Sequence, residues 1–248
     1  MSAKSSWFIR ADAVNHPRVR LFIFPHGGGS PAQYKDWGVR LGAHAEVYIA
    51  SLPGRGARFR DEPIADMAYL IDQLSAEISP LLNERSIFFG HSLGALVAFE
   101  LVTSLAERGE SPPKKLIVSA KNAPHIPAVG SPLSHLDDDA FVQALQQYGG
   151  TPAEALADKE LMALYLPVLR ADFRMSENYL CRNIRTLPCK LHIFGAQDDP
   201  FTSGDGLQQW SLYADDGGCG PVIFEGGHFY FHAQQEQFFS ALIQAFDT

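Results

Sequence analysis

The stretch Ser86-Ile87-Phe88-Phe89-Gly90-His91-Ser92-Leu93-Gly94-Ala95-Leu96-Val97-Ala98-Phe99 constrains the fold more than any other part of this chain. The short apolar run over residues 87–89 reads as a buried strand. From Leu93 onward the residues favour a long helix. Between them lies Gly90-x-Ser92-x-Gly94, a strand-turn-helix pattern in which one serine is lifted clear of the sheet on a sharp turn. Such a turn forces the serine into strained backbone geometry. The flanking glycines have no Cβ to collide with the neighbouring strand and helix. Ser92 would then stand at a helix N-terminus, where free N–H groups and the helix dipole favour developing negative charge. Three fixed residues are a weak signal alone; the strand before and the helix after give them meaning.

The rest of the chain supplies the same alternation. Residues 18–24 (RVRLFIF), 46–51 (EVYIAS), 116–119 (LIVS), 190–194 (KLHIF) and 222–224 (VIF) read as further strands. Helices are expected over residues 31–41, 64–82, from the Ser92 turn to about residue 108, at 207–213, and as one amphipathic segment over about 230–246. Strands separated by helices imply a mostly parallel sheet covered on both faces. The rhythm stops at residue 124. Residues 124–188 contain no convincing strand and carry helical patches around 138–147, 152–157, 159–169 and 173–180. That is too long for a connecting loop. The expected organisation is therefore a core of residues 1–123 and 189–248 with a helical lid inserted between them. No internal repeat or low-complexity tract is present.

Composition narrows the class. A length of 248 residues with 46% hydrophobic and 19% charged residues suits one α/β domain with an insertion. A net charge of −8 argues against nucleic acid or an anionic membrane as the main partner. Local basic clusters remain, at Arg55, Arg58 and Arg60 and at Lys114 and Lys115. Three cysteines (Cys181, Cys189, Cys219) form no CxxC pair, which suggests neither a disulfide framework nor a zinc site and fits a reducing cytoplasm. Residues 1–20 lack an apolar signal core, and no apolar run is long enough to span a bilayer. A cytoplasmic monomer is the default expectation.

Two later strand ends complete a catalytic pattern. In α/β-hydrolase folds the catalytic residues follow in the order Ser, Asp or Glu, His. Downstream of Ser92 come Phe194-Gly195-Ala196-Gln197-Asp198-Asp199-Pro200 and Phe224-Glu225-Gly226-Gly227-His228-Phe229. Both lie just past the C-terminal ends of strands, where open α/β sheets place their sites. Ser92 would be the nucleophile and His228 the base that takes its proton. Asp198 and Asp199 compete to orient the imidazole. Asp198 is preferred on the Gly-x-x-Asp spacing, leaving Asp199 to shape the turn with Pro200. The oxyanion donors would be the N–H groups of Leu93 and of Gly27, the latter in His26-Gly27-Gly28-Gly29, with Gly28 as the second choice. His91 reads as a packing residue. His228 and His232, four apart, lack an HExxH pattern or a third ligand, so no metal is expected. The glycine run lacks the features of a phosphate-binding loop. The aromatics from Phe229 to Phe246 read as helix core.

Five segments together resemble one family. Phe24-Pro25-His26-Gly27-Gly28-Gly29-Ser30, Leu52-Pro53-Gly54-Arg55-Gly56-Ala57-Arg58, Phe89-Gly90-His91-Ser92-Leu93-Gly94-Ala95, Leu166-Pro167-Val168-Leu169-Arg170-Ala171-Asp172 and Gly226-Gly227-His228-Phe229 resemble the type II editing thioesterases of non-ribosomal peptide and polyketide synthesis. The likeness spans nearly the whole chain. Gly27 departs from it, since the family commonly has alanine there. The resemblance implies hydrolysis of acyl thioesters on the phosphopantetheine arm of acyl or peptidyl carrier domains, with no cofactor beyond the arm the substrate carries. It also implies a mobile lid that includes Leu166 to Asp172. An acidic carrier would call for a basic rim, for which Arg55, Arg58 and Arg60 are candidates, with Gly28 contributing to substrate binding. Competing expectations are a medium-chain fatty acyl thioesterase, a small-ester carboxylesterase, and a non-catalytic carrier-binding protein on the same scaffold.

Overall fold

The protein was described from a computed structural model covering residues 6–11, 16–215 and 220–247. Cys219 and parts of the N-terminal segment considered above lie outside the described residues. Among the described residues seven strands form one sheet: β1 (Phe8–Arg10), β2 (Val19–Phe24), β3 (Ala45–Ala50), β4 (Ser86–His91), β5 (Lys115–Ser119), β6 (Lys190–Ala196) and β7 (Val222–Phe224). Their order is β1-β3-β2-β4-β5-β6-β7. Every pairing is parallel except the antiparallel contact of β1 with β3, where Phe8 lies opposite Ala50. β1 was not expected from sequence; three residues carry too little alternation to register.

The central strands are apolar throughout because successive side chains point to opposite faces and both faces of the sheet are covered. On β2, Phe22 and Phe24 point into one apolar layer and Leu21 and Ile23 into the other. β4 repeats this, with Phe88 on the first face and Ile87 and Phe89 on the second. The first layer is closed by α2 (Met67–Ile78), α3 (Leu93–Glu107) and α7 (Gly204–Gln208), through side chains such as Leu74, Leu101 and Leu207. The second is closed by α1 (Asp36–Leu41), α8 (Tyr230–Ala233) and α9 (Gln235–Asp247), through Trp37, Phe231 and Phe238. The last two helices replace the single C-terminal helix expected from sequence. Phe229, just before α8, lines a cavity, while Phe238, Phe239 and Leu242 of α9 pack in the core.

Between β5 and β6 the described residues contain no strand. They form α4 (Asp138–Leu145), α5 (Ala153–Ala157) and α6 (Lys159–Asn178). α6 runs unbroken through Pro167 and merges two of the expected patches. Phe141, Leu145, Leu156, Met162, Leu166 and Leu169 make a small apolar cluster of their own here. α4 and α6 are both capped by aspartates, Asp137 and Asp158, whose carboxylates accept backbone N–H groups of the first turn. No described helix is long and apolar enough to cross a membrane.

Candidate active site

The turn after β4 has the geometry its sequence requires. Ser92 sits at φ 55° and ψ −117°, a conformation that L-residues rarely adopt. Its strain is tolerated because neighbours leave no alternative. A Cβ on Gly90 would lie 2.1 Å from the Gly94 carbonyl oxygen, and one on Gly94 would lie 1.9 Å from that of Phe24. Leu93 is the first residue of α3, so its N–H has no acceptor within the helix. In parallel register Phe24 pairs with Gly90, which brings the Pro25–Gly29 turn beside the serine.

Three side chains meet at this rim. The Oγ of Ser92 lies 2.9 Å from Nε2 of His228. Nδ1 of the same ring lies 2.9 Å from Oδ2 of Asp199. The Asp199 carboxylate is fully buried, and its Oδ1 accepts the N–H of Phe201 at 2.9 Å. An ionised Asp199 fixes the proton on Nδ1 and leaves Nε2 free to accept from Ser92. The sequence-based preference for Asp198 is therefore corrected. Gln197 and Asp198 both donate their N–H groups to the β7 side, to the carbonyls of Phe224 and Gly226, so the chain turns as β6 ends. That turn leaves Asp198 exposed to solvent and Asp199 buried.

The surroundings are aromatic and largely uncharged. Tyr148 and Phe201 stack at 3.7 Å and 7°, and both present ring edges to His228, at 5.7 and 5.4 Å. Behind the turn, His91 shares a hydrogen-bonded chain with Ser119 and Tyr230, at 2.7 and 2.6 Å. Burial first, and then the nearby His228, hold the His91 pKa well below the usual imidazole range. His26 bonds the Tyr34 hydroxyl at 2.8 Å and is held down to about 3, chiefly by burial. Neither ring adds positive charge beside His228 at neutral pH.

Ser92, His228, His26, Tyr148 and Phe201 line a cavity of about 580 Å³, within the range of small-molecule sites. Ser92, Leu93, Gly27 and Gly28 lie on its floor side, and Leu145, Met162 and Leu169 from the inserted helices line its other wall. Lys121 also lines it. Its Nζ donates to Ser176 Oγ at 2.9 Å, and burial pulls its pKa down to about 8 against the opposing pull of Asp199 and Glu177. Lys121, Tyr148 and Phe201 escaped sequence reasoning, because no local pattern ties them to Ser92. Among the described residues no cluster of three or more His, Cys, Asp or Glu side chains could hold a metal. His232 sits on α8 while His228 precedes that helix, so the pair does not share a helical face.

The expected basic rim is not where it was sought. Arg55 is 2% exposed and locked onto Asp172 of α6, so it cannot face a partner. Arg58 pairs with Asp61 at 2.7 Å and lies 3.9 Å over the Trp7 ring. Arg60 remains exposed. Gly28 lines the cavity, but its N–H donates to Asp172. A Cβ on Gly27 would meet Asp172 at an ordinary 3.5 Å, so the alanine common in the resembling family would fit there.

A serine on a strained strand-helix turn, followed in chain order by an acid and a histidine on neighbouring strand ends of this sheet, defines an α/β-hydrolase fold. The profile of the thioesterase domain matches residues 19–246, and the chain belongs to that family. Among its relatives is the gramicidin S biosynthesis protein GrsT of Aneurinibacillus migulanus, 33% identical over 85% of this chain and 82% of the relative. Among solved structures, the type II thioesterase BorB from the borrelidin biosynthetic cluster superposes with a TM-score of 0.88 at 29% identity, covering 99% of this chain and 100% of the other. YbtT, a type II thioesterase from the yersiniabactin pathway, matches with a TM-score of 0.88 at 30% identity, covering 98% of each chain.

Proposed function

We propose that this thioesterase removes acyl groups from the phosphopantetheine arms of carrier proteins, clearing mis-primed or stalled units from a non-ribosomal peptide or polyketide assembly line. The observation that carries the reading is His228, bridging Ser92 and Asp199 with two 2.9 Å contacts at the edge of a cavity roofed by inserted helices. His228 takes the Ser92 hydroxyl proton as Oγ bonds to the thioester carbonyl carbon. The carbonyl oxygen becomes an oxyanion facing the N–H groups of Gly27 and Leu93. Collapse breaks the C–S bond, and His228 returns the proton to the leaving sulfur. A water, deprotonated by His228, then attacks the acyl-serine carbonyl; the C–O bond to Ser92 breaks, His228 returns the proton to Oγ, and the carboxylic acid leaves. Asp199 holds the ring in the required tautomer and stabilises the imidazolium.

Because a thiolate leaves readily, positioning and oxyanion stabilisation are the demanding parts. The apolar wall of Leu145, Met162 and Leu169 suits an acyl chain. Residues 124–188 act as the lid, and Arg60 is the remaining arginine of its cluster free to meet a carrier. The protein works as a cytoplasmic monomer, without a metal or a bound cofactor and without nucleic acid or membrane as a partner. The test compares wild type with Ser92→Ala on acetyl-loaded carrier protein, acetyl-CoA and a nitrophenyl ester. Release from the carrier by wild type alone, at higher kcat/KM than from the other two, is expected. Equal release by the variant would end the serine mechanism. A preference for the oxygen ester would replace editing with a small-ester role, and a preference for acyl-CoA would point to a fatty acyl thioesterase.

A further inference from the structure

The groups around the cavity that the mechanism does not use include one fully buried ion pair. Arg55 Nη1 and Nη2 bind Asp172 Oδ2 and Oδ1 at 2.5 and 2.9 Å, and Arg55 Nε donates to the Pro53 carbonyl at 3.2 Å. The arginine follows β3 and the aspartate lies on α6, 117 residues away. Two charges taken out of water at this depth are weak stabilisers of a fold at best. The arrangement does something more specific. The same Asp172 Oδ2 accepts the N–H of Gly28 at 2.7 Å.

That bond engages one of the amides of the glycine turn. Gly29 gives its N–H to the His26 carbonyl at 2.8 Å, and Gly28 gives its own to Asp172. Gly27 is left as the donor of the run that borders the cavity beside Ser92. Gly28 holds a left-handed φ of 75°, and the α6 side chain of Leu169 fills the space its Cβ would need, at 2.4 Å. Val168, one residue earlier, does the same at Gly54, at 2.7 Å. α6 thus rests on both loops, and its one buried carboxylate reaches the turn only when the helix is seated.

We propose that Asp172, held by Arg55, is a positioning residue for the oxyanion hole, and that it makes hydrolytic competence conditional on α6 being docked. The lid helix then does more than open and close access. When α6 lifts, Gly28 loses its acceptor and the turn no longer presents Gly27 to the carbonyl oxygen, so a half-closed enzyme binds acyl chains without cleaving them. The inference rests on Ser92 attacking the acyl carbonyl, as proposed above.

Two double variants separate this role from plain structure. Arg55→Met with Asp172→Leu removes both charges and the acceptor for Gly28, while Arg55→Met with Asp172→Asn removes both charges and keeps a carbonyl acceptor for Gly28. Turnover is followed with the acetyl thioester of N-acetylcysteamine. Ground-state binding is followed with an S-alkyl pantetheine thioether, which fills the cavity but has no carbonyl. Wild-type turnover in the same assay checks the parent reading independently. Loss of correct donor placement costs about 100-fold in rate. The leucine variant should lose about that much kcat, the asparagine variant should recover at least about tenfold of it, and both should bind the thioether within about threefold of wild type. Equal kcat in the two variants overturns the proposal. So does a parallel loss of thioether binding and kcat, or near-wild-type turnover in the leucine variant.

Discussion

Replacing Asp199 by asparagine tests the chemistry at its most exposed assumption, that the neighbouring Asp198 is irrelevant. The consequence can be worked from the hydrogen bonds. Asp199 Oδ1 accepts the Phe201 N–H at 2.9 Å while Oδ2 faces Nδ1 of His228 at 2.9 Å. An asparagine must keep its carbonyl toward Phe201, because turning the amide round would set donor against donor and leave a buried group unsatisfied, at about 1–3 kcal/mol. Its NH2 group then points at Nδ1, which must accept. The ring proton moves to Nε2, where it faces Ser92 Oγ at 2.9 Å and can no longer take the hydroxyl proton. The same tautomer error in the serine protease triad lowers kcat about 10⁴-fold, or about 5 kcal/mol in activation free energy. Because shape and hydrogen-bond count are preserved, stability should change little. The assay is thiol release from the acetyl thioester of N-acetylcysteamine by wild type, Asp199→Asn and Asp198→Asn, with thermal melts alongside. The expected order is a loss of about three to four decades for Asp199→Asn and less than about threefold for the exposed Asp198→Asn. Comparable losses at both positions, or a larger one at Asp198, would refute the assignment.

Other perturbations carry distinct expectations. Arg55→Ala leaves the Asp172 carboxylate buried and unpaired, so urea unfolding should show a loss of about 3–5 kcal/mol, against less than about 0.5 for the exposed Arg60→Ala; similar midpoints would mean the pair is not buried in solution. Gly94→Ala places a Cβ 1.9 Å from the Phe24 carbonyl oxygen, a backbone atom that cannot step aside, and should yield little soluble folded protein. Acid should weaken the fold through His26 and His91, whose folded pKa values lie below the unfolded value near 6.5. Above about 6.5 both states are neutral; as pH falls below it the unfolded chain takes up protons that the folded chain refuses, so stability drops, by about 1 kcal/mol per histidine between pH 7 and 5.5. A flat unfolding midpoint across that interval counts against neutral burial of both rings.

How far the sequence carries depends on whether a residue's partner is local. Ser92, with Gly90 and Gly94, is legible because the turn that strains it is built from its own neighbours, and the continuous apolar run of Leu21, Phe22, Ile23 and Phe24 is legible as a strand because the sheet is covered on both faces. The choice between Asp198 and Asp199 is not legible. Adjacent residues at a strand end differ only in which side they face, and that is set by the N–H bonds of Gln197 and Asp198 to Phe224 at the end of β7 and Gly226 just beyond it, far along the chain. Arg55 fails for the same reason at greater range. Three arginines in six residues look like a solvated patch until an aspartate 117 residues away claims one of them. What the sequence showed as two separate peculiarities, a PGR loop and an LRAD helix, the fold joins into a single contact that also reaches the glycine turn. Residues that matched a pattern but had no visible chemistry were therefore those whose chemistry is tertiary: the carboxylate has meaning only where α6 crosses the two loops, and that crossing lies at the donor beside Ser92.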